Sequence, residues 1–327
     1  MELGILSLSD LHQVSAAQRI ADTIDYAVLG EKLGLDVFAL GEHHGLEFAV
    51  SSPAVVLAAI AARTERIRLT SAVTVLSVLD PVRVYQDFAT VDLVSSGRAE
   101  IIAGRSAFAE PFALFGEDMN DYDALFAEKI DLLLRLRADD HVTWSGKFRP
   151  PLRDAPIAPR AAQAELPVWA GVGGSPTSAV RAGLLGLPMV LGYIGGPLSH
   201  AKQAVDLYRA AGERAGHPEK LRVGISTHFF AGPDDVFPYY HEYLRPKTPG
   251  GRGFLVDRTA FTAGTRRGQA IMIGPSDQVA EKILDAKEML GLDRFFGQFD
   301  WGGLPRGLVE ESLHRYATEI APIVRQH

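Results

Sequence analysis

Short apolar runs alternate with longer stretches whose apolar residues recur at helical spacing over almost the whole chain. The runs read as buried strands and the stretches as helices with one core-facing side. Leu3–Leu8 is the first predicted strand, followed by a helix with Ile20, Ile24, Ala27 and Val28 on one face. Val37–Leu40 precedes an alanine-rich helix, Pro53–Arg63, with proline in its first turn as helix starts prefer. Ile67–Leu76 is the third strand, and Pro81 opens a helix running to about Val94. Arg98–Ala103 is the fourth strand, and Asp121–Leu136 carries Leu125, Phe126, Ile130, Leu133 and Leu134 on a helical stripe.

A small hairpin over Val142–Arg149, turning at Ser145-Gly146-Lys147, stands outside this rhythm, and Pro150–Glu165 reads as a proline-rich connector. The alternation then resumes: strand Pro167–Val172, helix Ser175–Leu185, strand Pro188–Tyr193, helix Ser199–Ala215, strand Leu221–Phe230. Val279, Ile283, Ala286 and Leu290 mark a late helix before strand Arg294–Phe299. Val309, Leu313, Tyr316, Ile320 and Ile323 mark a closing one. Repeated strand–helix units require a parallel sheet, and about eight of them close it into a (β/α)8 TIM barrel. One such domain over residues 1–327 is the expectation. A doubly wound open sheet is the alternative, weakened because no Gly-x-Gly-x-x-Gly follows the first strand.

Residues 232–268 break the pattern. They hold Pro249-Gly250-Gly251 and gather Arg245, Lys247, Arg252, Arg258, Arg266 and Arg267. A segment of this length is either a basic lid over an anionic ligand or a solvated excursion.

Composition narrows the function. A net charge of −7 argues against a nucleic-acid or anionic-membrane surface. The absence of cysteine excludes disulfides, thiolate nucleophiles and zinc–sulfur sites. No apolar run is long enough to span a bilayer, and Met1–Leu6 is too short and acidic for a signal peptide, so a cytoplasmic protein is expected.

The residues expected at the carboxyl ends of the strands carry the candidate chemistry. Gly41-Glu42-His43-His44 follows the second strand, and histidine titrates nearest neutral pH, which suits proton transfer. Either imidazole could equally cap a helix or sit as a satisfied core residue. The third strand contains Ser71-Ala72-Val73, the fourth runs into Gly104-Arg105-Ser106, and the fifth into Val172-Gly173-Gly174-Ser175-Pro176. Two glycines and a serine before a helix expose N–H groups at its positive end, and Arg105 could add a guanidinium to the same anion. This reads as a phosphate site, with a tight turn and a structural ion pair as the plain alternative. A phosphate there leaves room for a flat ring walled by Ser71, Ala72 and Val73 and facing His43. Glu42-His43-His44 lacks the spacing of zinc proteases and no Gly-x-Ser-x-Gly elbow appears, so neither a metal nor a serine triad is expected. Phe108, Trp169, Tyr193, His228 and Trp301 read as pocket wall or core.

In order along the chain, several segments resemble bacterial luciferase-like flavin monooxygenases. They are Glu42-His43-His44; Ser71-Ala72-Val73-Thr74-Val75-Leu76 with Asp80-Pro81-Val82-Arg83; and Ser96-Gly97-Arg98 leading to Gly104-Arg105-Ser106. Phe115-Gly116, Gly186-Leu187-Pro188-Met189 and Asp206-Leu207-Tyr208 follow in the same order. The resemblance covers residue 2 to the C-terminus and is thinnest across 232–268.

It implies a (β/α)8 barrel with FMN at its carboxyl mouth, usually as a homodimer. Such enzymes take reduced flavin from a separate reductase, form a peroxyflavin with O2 and oxygenate a small organic substrate. His43 matches the catalytic histidine. Ala72–Val73, after Ser71, matches a non-prolyl cis peptide under the flavin ring. Arg105, next to Ser106, matches a phosphate-binding arginine, and Val172, Gly173, Gly174 and Ser175 match the phosphate loop. Three departures stand out. Light-emitting members have a reactive cysteine where this chain has Gly104, an acid where it has Gly174, and a second arginine where it has Asp123. These point away from bioluminescence and leave the phosphate more dependent on Arg105 and backbone amides. A deazaflavin-dependent oxidoreductase and a non-catalytic flavin-binding subunit are the alternatives.

Overall fold

The structure is a computed structural model that describes residues 1–106, 108–246 and 253–326. Eight parallel strands form a closed ring: β1 (Glu2–Ser7), β2 (Val37–Leu40), β3 (Arg68–Ser71), β4 (Ala99–Gly104), β5 (Val168–Val172), β6 (Met189–Gly192), β7 (Val223–Ala231) and β8 (Arg294–Gln298). Neighbours in sequence are neighbours in space, and β8 pairs back onto β1 from Glu2↔Arg294 to Leu6↔Gln298. This is the (β/α)8 TIM barrel that the alternation predicts, and ring closure rules out the open doubly wound sheet.

The period-two alternation of strand side chains divides the core in two. Outward residues such as Leu3, Ile5, Phe38, Leu40, Leu69 and Ile101 meet the helices in a large shell. Inward residues Leu6, Val37, Ala39, Ile102, Trp169, Val190 and Phe296 form a small plug. At the amino end of the barrel that plug is completed by charge. Fully buried Arg294 hydrogen-bonds Glu100 and Glu2, 2.5 and 2.8 Å away, and lies 4.4 Å from the Trp169 ring. Burial alone would raise the Glu100 pKa, but Arg294 and then Arg68 more than offset it and hold the carboxyl below its ordinary value. Trp169 is therefore a residue of the closed end, not of the mouth.

Local sequence explains where the helices start. Asp80 accepts hydrogen bonds from the Val82 and Arg83 amides and Pro81 opens the helix Pro81–Val94. Ser15 caps Ala16–Lys32 through the Gln18 amide. The closing helix, Arg306–Arg315, passes through a π turn at Tyr316–Ile320 into Ala321–Gln326. No described helix is long and apolar enough to cross a membrane.

Three segments differ from the pattern-based expectation. The third strand is split into Arg68–Ser71 and Thr74–Val75 by a cis Ala72–Val73 peptide. The hairpin pairs His141–Trp144 with Leu152–Pro156, so its second strand lies in the proline-rich stretch. Glu128 causes this, because its carboxylate accepts the Lys147 and Phe148 amides at 2.6 and 2.9 Å and makes 145–149 the turn. Residues 232–268 include the helices Phe237–Leu244 and Arg258–Gly264. Arg245, Arg258 and Arg267 pair at the surface with Glu242, Asp235 and Asp285. These three match the solvated excursion; Lys247, Arg252 and 249–251 lie outside the described residues.

Candidate active site at the barrel mouth

The carboxyl ends of the strands surround a cavity of about 330 Å³. Ala72, Val73, Gly104, Arg105, Ser106, Val172, Gly173 and Ser175 all line it, together with apolar Leu6, Ile102 and Val190. Most residues singled out from the sequence thus meet in one place, although they come from three different strand ends.

The wall at Ala72–Val73 is a built platform. The Ala72 amide donates to the Leu40 carbonyl at 2.7 Å, and the Val75 amide donates to Glu42 Oε2 at 3.1 Å. Ser71 is buried behind the wall, where its Oγ accepts from Thr74 Oγ1 and the Ile102 amide. It supports the platform and does not line the cavity. The Val73 side chain lies over two strands that carry glycine at the contact. A Cβ on Gly171 would come within 2.5 Å of Val73 Cγ1, and one on Gly104 would collide with Val73 Cγ2. The absence of a side chain at 104 is therefore a packing requirement of the platform. Gly104→Ala is expected to lose about 1–3 kcal/mol of stability, the usual cost of overpacking. Urea unfolding measures this, and an unchanged midpoint would show that Val73 gives way freely.

Another part of the lining carries a cation and a hydroxyl, from Arg105 and Ser175. Arg105 Nη2 donates to Ser178 Oγ at 2.6 Å, and the guanidinium lies 4.6 Å from the centre of the Tyr122 ring. Ser175 begins the helix Pro176–Leu184 and makes no capping bond with its side chain, which leaves its hydroxyl available at the positive helix end. Gly174, at φ +84°, turns out of the cavity towards a neighbouring depression lined by Tyr193 and His200. Ser106, at φ +74°, uses its Oγ to hold the Phe108 amide at 2.9 Å, and its carbonyl accepts from Tyr122 at 2.8 Å.

Sequence reasoning missed Arg181. It stands one helical turn beyond Ser178 and reaches Asp123 Oδ1 at 3.1 Å, the same oxygen that Arg105 Nη1 binds. The spacing of Ser178 and Arg181 was the available signal, since residues three apart share a helix face.

His43 lies beside the cavity rather than in its wall. Its ring stacks on Phe48, 4.0 Å between centroids, and takes the edge of Phe108 at 5.3 Å. With Glu42, His44 and Ser106 these rings line a narrow crevice, and Ser106 borders both spaces. Burial, and secondarily the neighbouring His44, lowers the His43 pKa to about 4, so the imidazole is neutral at neutral pH. His44 is instead bound to Glu42 Oε1 at 2.9 Å. Glu42 thus joins His44 to the platform and acts as a brace.

His228, Tyr240 and Trp301 pack together at the β7–β8 side, where His228 Nδ1 meets the Tyr240 hydroxyl at 2.9 Å. These are core residues that seal that side. Among the described residues no group of three or more His, Asp or Glu is placed to hold a metal ion.

The luciferase-like monooxygenase family profile matches residues 1–294 of this chain. An uncharacterized protein, y4vJ, of Sinorhizobium fredii is 32% identical over 179 residues, 54% of this chain and 50% of that protein. An F420-dependent glucose-6-phosphate dehydrogenase of Amycolatopsis mediterranei is 32% identical over 174 residues, 50% of this chain and 51% of that protein. The chain spans about half the length of these curated relatives. Among solved structures, monooxygenase RslO1 from Streptomyces bottropensis has a TM-score of 0.83 at 22% identity, covering 98% of this chain and 99% of that one. The oxygenating constituent of 3,6-diketocamphane monooxygenase from Pseudomonas putida, in complex with FMN, has a TM-score of 0.79 at 18% identity, covering 99% and 98%. At these identities the structures establish the shared barrel. The family match, which runs from the first strand to the start of the eighth, establishes more: this chain belongs to the luciferase-like monooxygenases.

Proposed function

We propose that the protein is an FMN-dependent monooxygenase that uses reduced flavin and O2 to oxygenate a small, largely apolar organic molecule. The carrying observation is that one cavity brings together two kinds of surface, an apolar platform at Ala72–Val73 and a cationic, hydroxyl-bearing part at Arg105, Gly173 and Ser175. A phosphorylated tricyclic ring needs both kinds of surface, a flat apolar one for the ring and charge-assisted donors for the phosphate. Bound there in reduced form, the flavin supplies the activation of O2.

The chain's own residues supply the environment. Leu6, Ile102 and Val190 keep the floor of the cavity dry, which protects a reactive oxidant from water. Phe48 and Phe108 shield His43, whose neutral imidazole has a free lone pair to take a proton near the ring. Arg105 and Ser175 orient the phosphate end. In this reading residues 1–327 act as one domain, reduced flavin comes from a separate reductase, and the protein works in the cytoplasm as a homodimer, as its family suggests.

The F420-dependent relative favours a second reading, hydride transfer to or from a deazaflavin on the same barrel. The absorption spectrum and mass of any co-purified cofactor separate the two. Oxygen uptake with chemically reduced FMN is then expected to rise above the free-flavin background when organic substrates are added. Hydride transfer that proceeds without oxygen would overturn monooxygenation.

A further inference from the structure

We propose that Asp123 is an internal stand-in for the ligand's anion, and that Arg181 is a second phosphate-binding arginine released when Asp123 is displaced. This rests on the reading of the mouth as a site for a phosphorylated flavin.

Three observations carry it. First, Arg105 Nη1 and Arg181 Nη2 converge on one oxygen, Asp123 Oδ1. A single anionic oxygen bridging two guanidiniums is the arrangement that a phosphate oxygen would take. Second, the two arginines are fixed while the carboxylate is on the solvent side. Their side chains are 17% and 21% exposed against 67% for Asp123. Arg105 is held by Ser178 and the Tyr122 ring, and Arg181 lies 5.6 Å from the Phe126 ring. Third, Arg181 Nη1 is buried without a hydrogen-bond partner, so Asp123 does not satisfy that guanidinium.

Charge decides the direction. Two arginines and one aspartate leave the cluster a single net positive charge, whereas a phosphate monoester carries about −1.5 to −2 near neutral pH. The dianion complements the two guanidiniums fully, and the exposed aspartate can swing into water at little cost. Asp123 therefore competes with the ligand, and Arg181 supplies from the neighbouring helix the second cation that position 123 lacks. An aspartate in the first turn of the helix Tyr122–Ala138 would also favour that helix's positive end. Such a role predicts a change in stability alone.

The test is a fluorescence titration of wild type, Asp123→Asn and Arg181→Gln with FMN and with riboflavin, which lacks the phosphate. Asp123→Asn is expected to tighten FMN about tenfold and Arg181→Gln to weaken it about tenfold, a size typical of one charge-assisted contact. Neither change should alter riboflavin affinity. If wild type prefers FMN over riboflavin but neither variant changes that preference, the cluster is an ordinary ion pair and this inference alone is overturned. Weaker FMN binding by Asp123→Asn also overturns it, because Asp123 would then be holding the arginines in place for the ligand. Equal affinity of wild type for FMN and riboflavin defeats the phosphate reading itself.

Discussion

Replacing His43 with alanine retains FMN binding and lowers turnover by about 10²–10⁴-fold, the range in which a positioned proton-transfer group contributes. The surroundings of the side chain fit that proposed task. Its ring packs against both Phe48 and Phe108, beside the segment that ends at Ser106 on the cavity wall. Burial among these rings lowers its pKa from 6.5 to about 4. The pH behaviour follows with a definite sign. Between pH 4 and 6.5 the unfolded chain binds a proton here that the folded protein does not. The stability contributed by the neutral ring is complete above pH 6.5 and is lost as the pH falls towards 4. The same shift moves the acid limb of the rate profile from the ordinary histidine range down to about pH 4. Steady-state oxidation with chemically reduced FMN and O2 measures both effects, and a variant that turns over like wild type would remove His43 from the mechanism.

Replacing Arg105 with alanine weakens FMN binding by about ten- to a hundredfold, from loss of a charge-assisted contact of roughly 1.5–3 kcal/mol. The geometry supports the upper part of that range. Ser178 and the Tyr122 ring hold the guanidinium in place, so little side-chain entropy is lost when a phosphate binds. Alanine also leaves Asp123 facing the incoming phosphate with only Arg181 to neutralise it. Riboflavin affinity is expected to stay the same. Fluorescence quenching titrations decide the matter, and equal FMN affinity in variant and wild type would place the phosphate elsewhere.

Much of the barrel was legible along the chain because burial imposes simple periods. β2 was bounded correctly at Val37–Leu40, since an all-buried strand between polar segments leaves no other reading. The third strand could not be bounded. Thr70, Ser71 and Thr74 continue the β-prone run while the strand is interrupted at Ala72–Val73, where Leu40 and Glu42, far earlier in sequence, accept the Ala72 and Val75 amides. The hairpin moved for a similar reason, because Glu128 on a preceding helix selects the turn. Trp169 reads from the sequence as pocket wall or core, and the structure makes it core at the closed end, because periodicity tells which face a residue occupies but not how far along the barrel axis it lies.

What the sequence determined by itself is the repeated strand–helix order, the carboxyl-end residues that follow each strand, and the family. These are local properties, set by hydrophobic period, caps and short motifs. Tertiary structure alone decided which of those residues share a space. It gathered Ala72, Val73, Arg105, Gly173 and Ser175 around one cavity and packed His43 against an aromatic pair beside it. It sent Ser71 and Gly174 out of the cavity wall, and brought Arg181 and Asp123 onto one oxygen. The physical reason is that closing a barrel converts separations of tens of residues into contacts of a few ångströms, and side-chain direction, packing volume and ion pairing then select the partners.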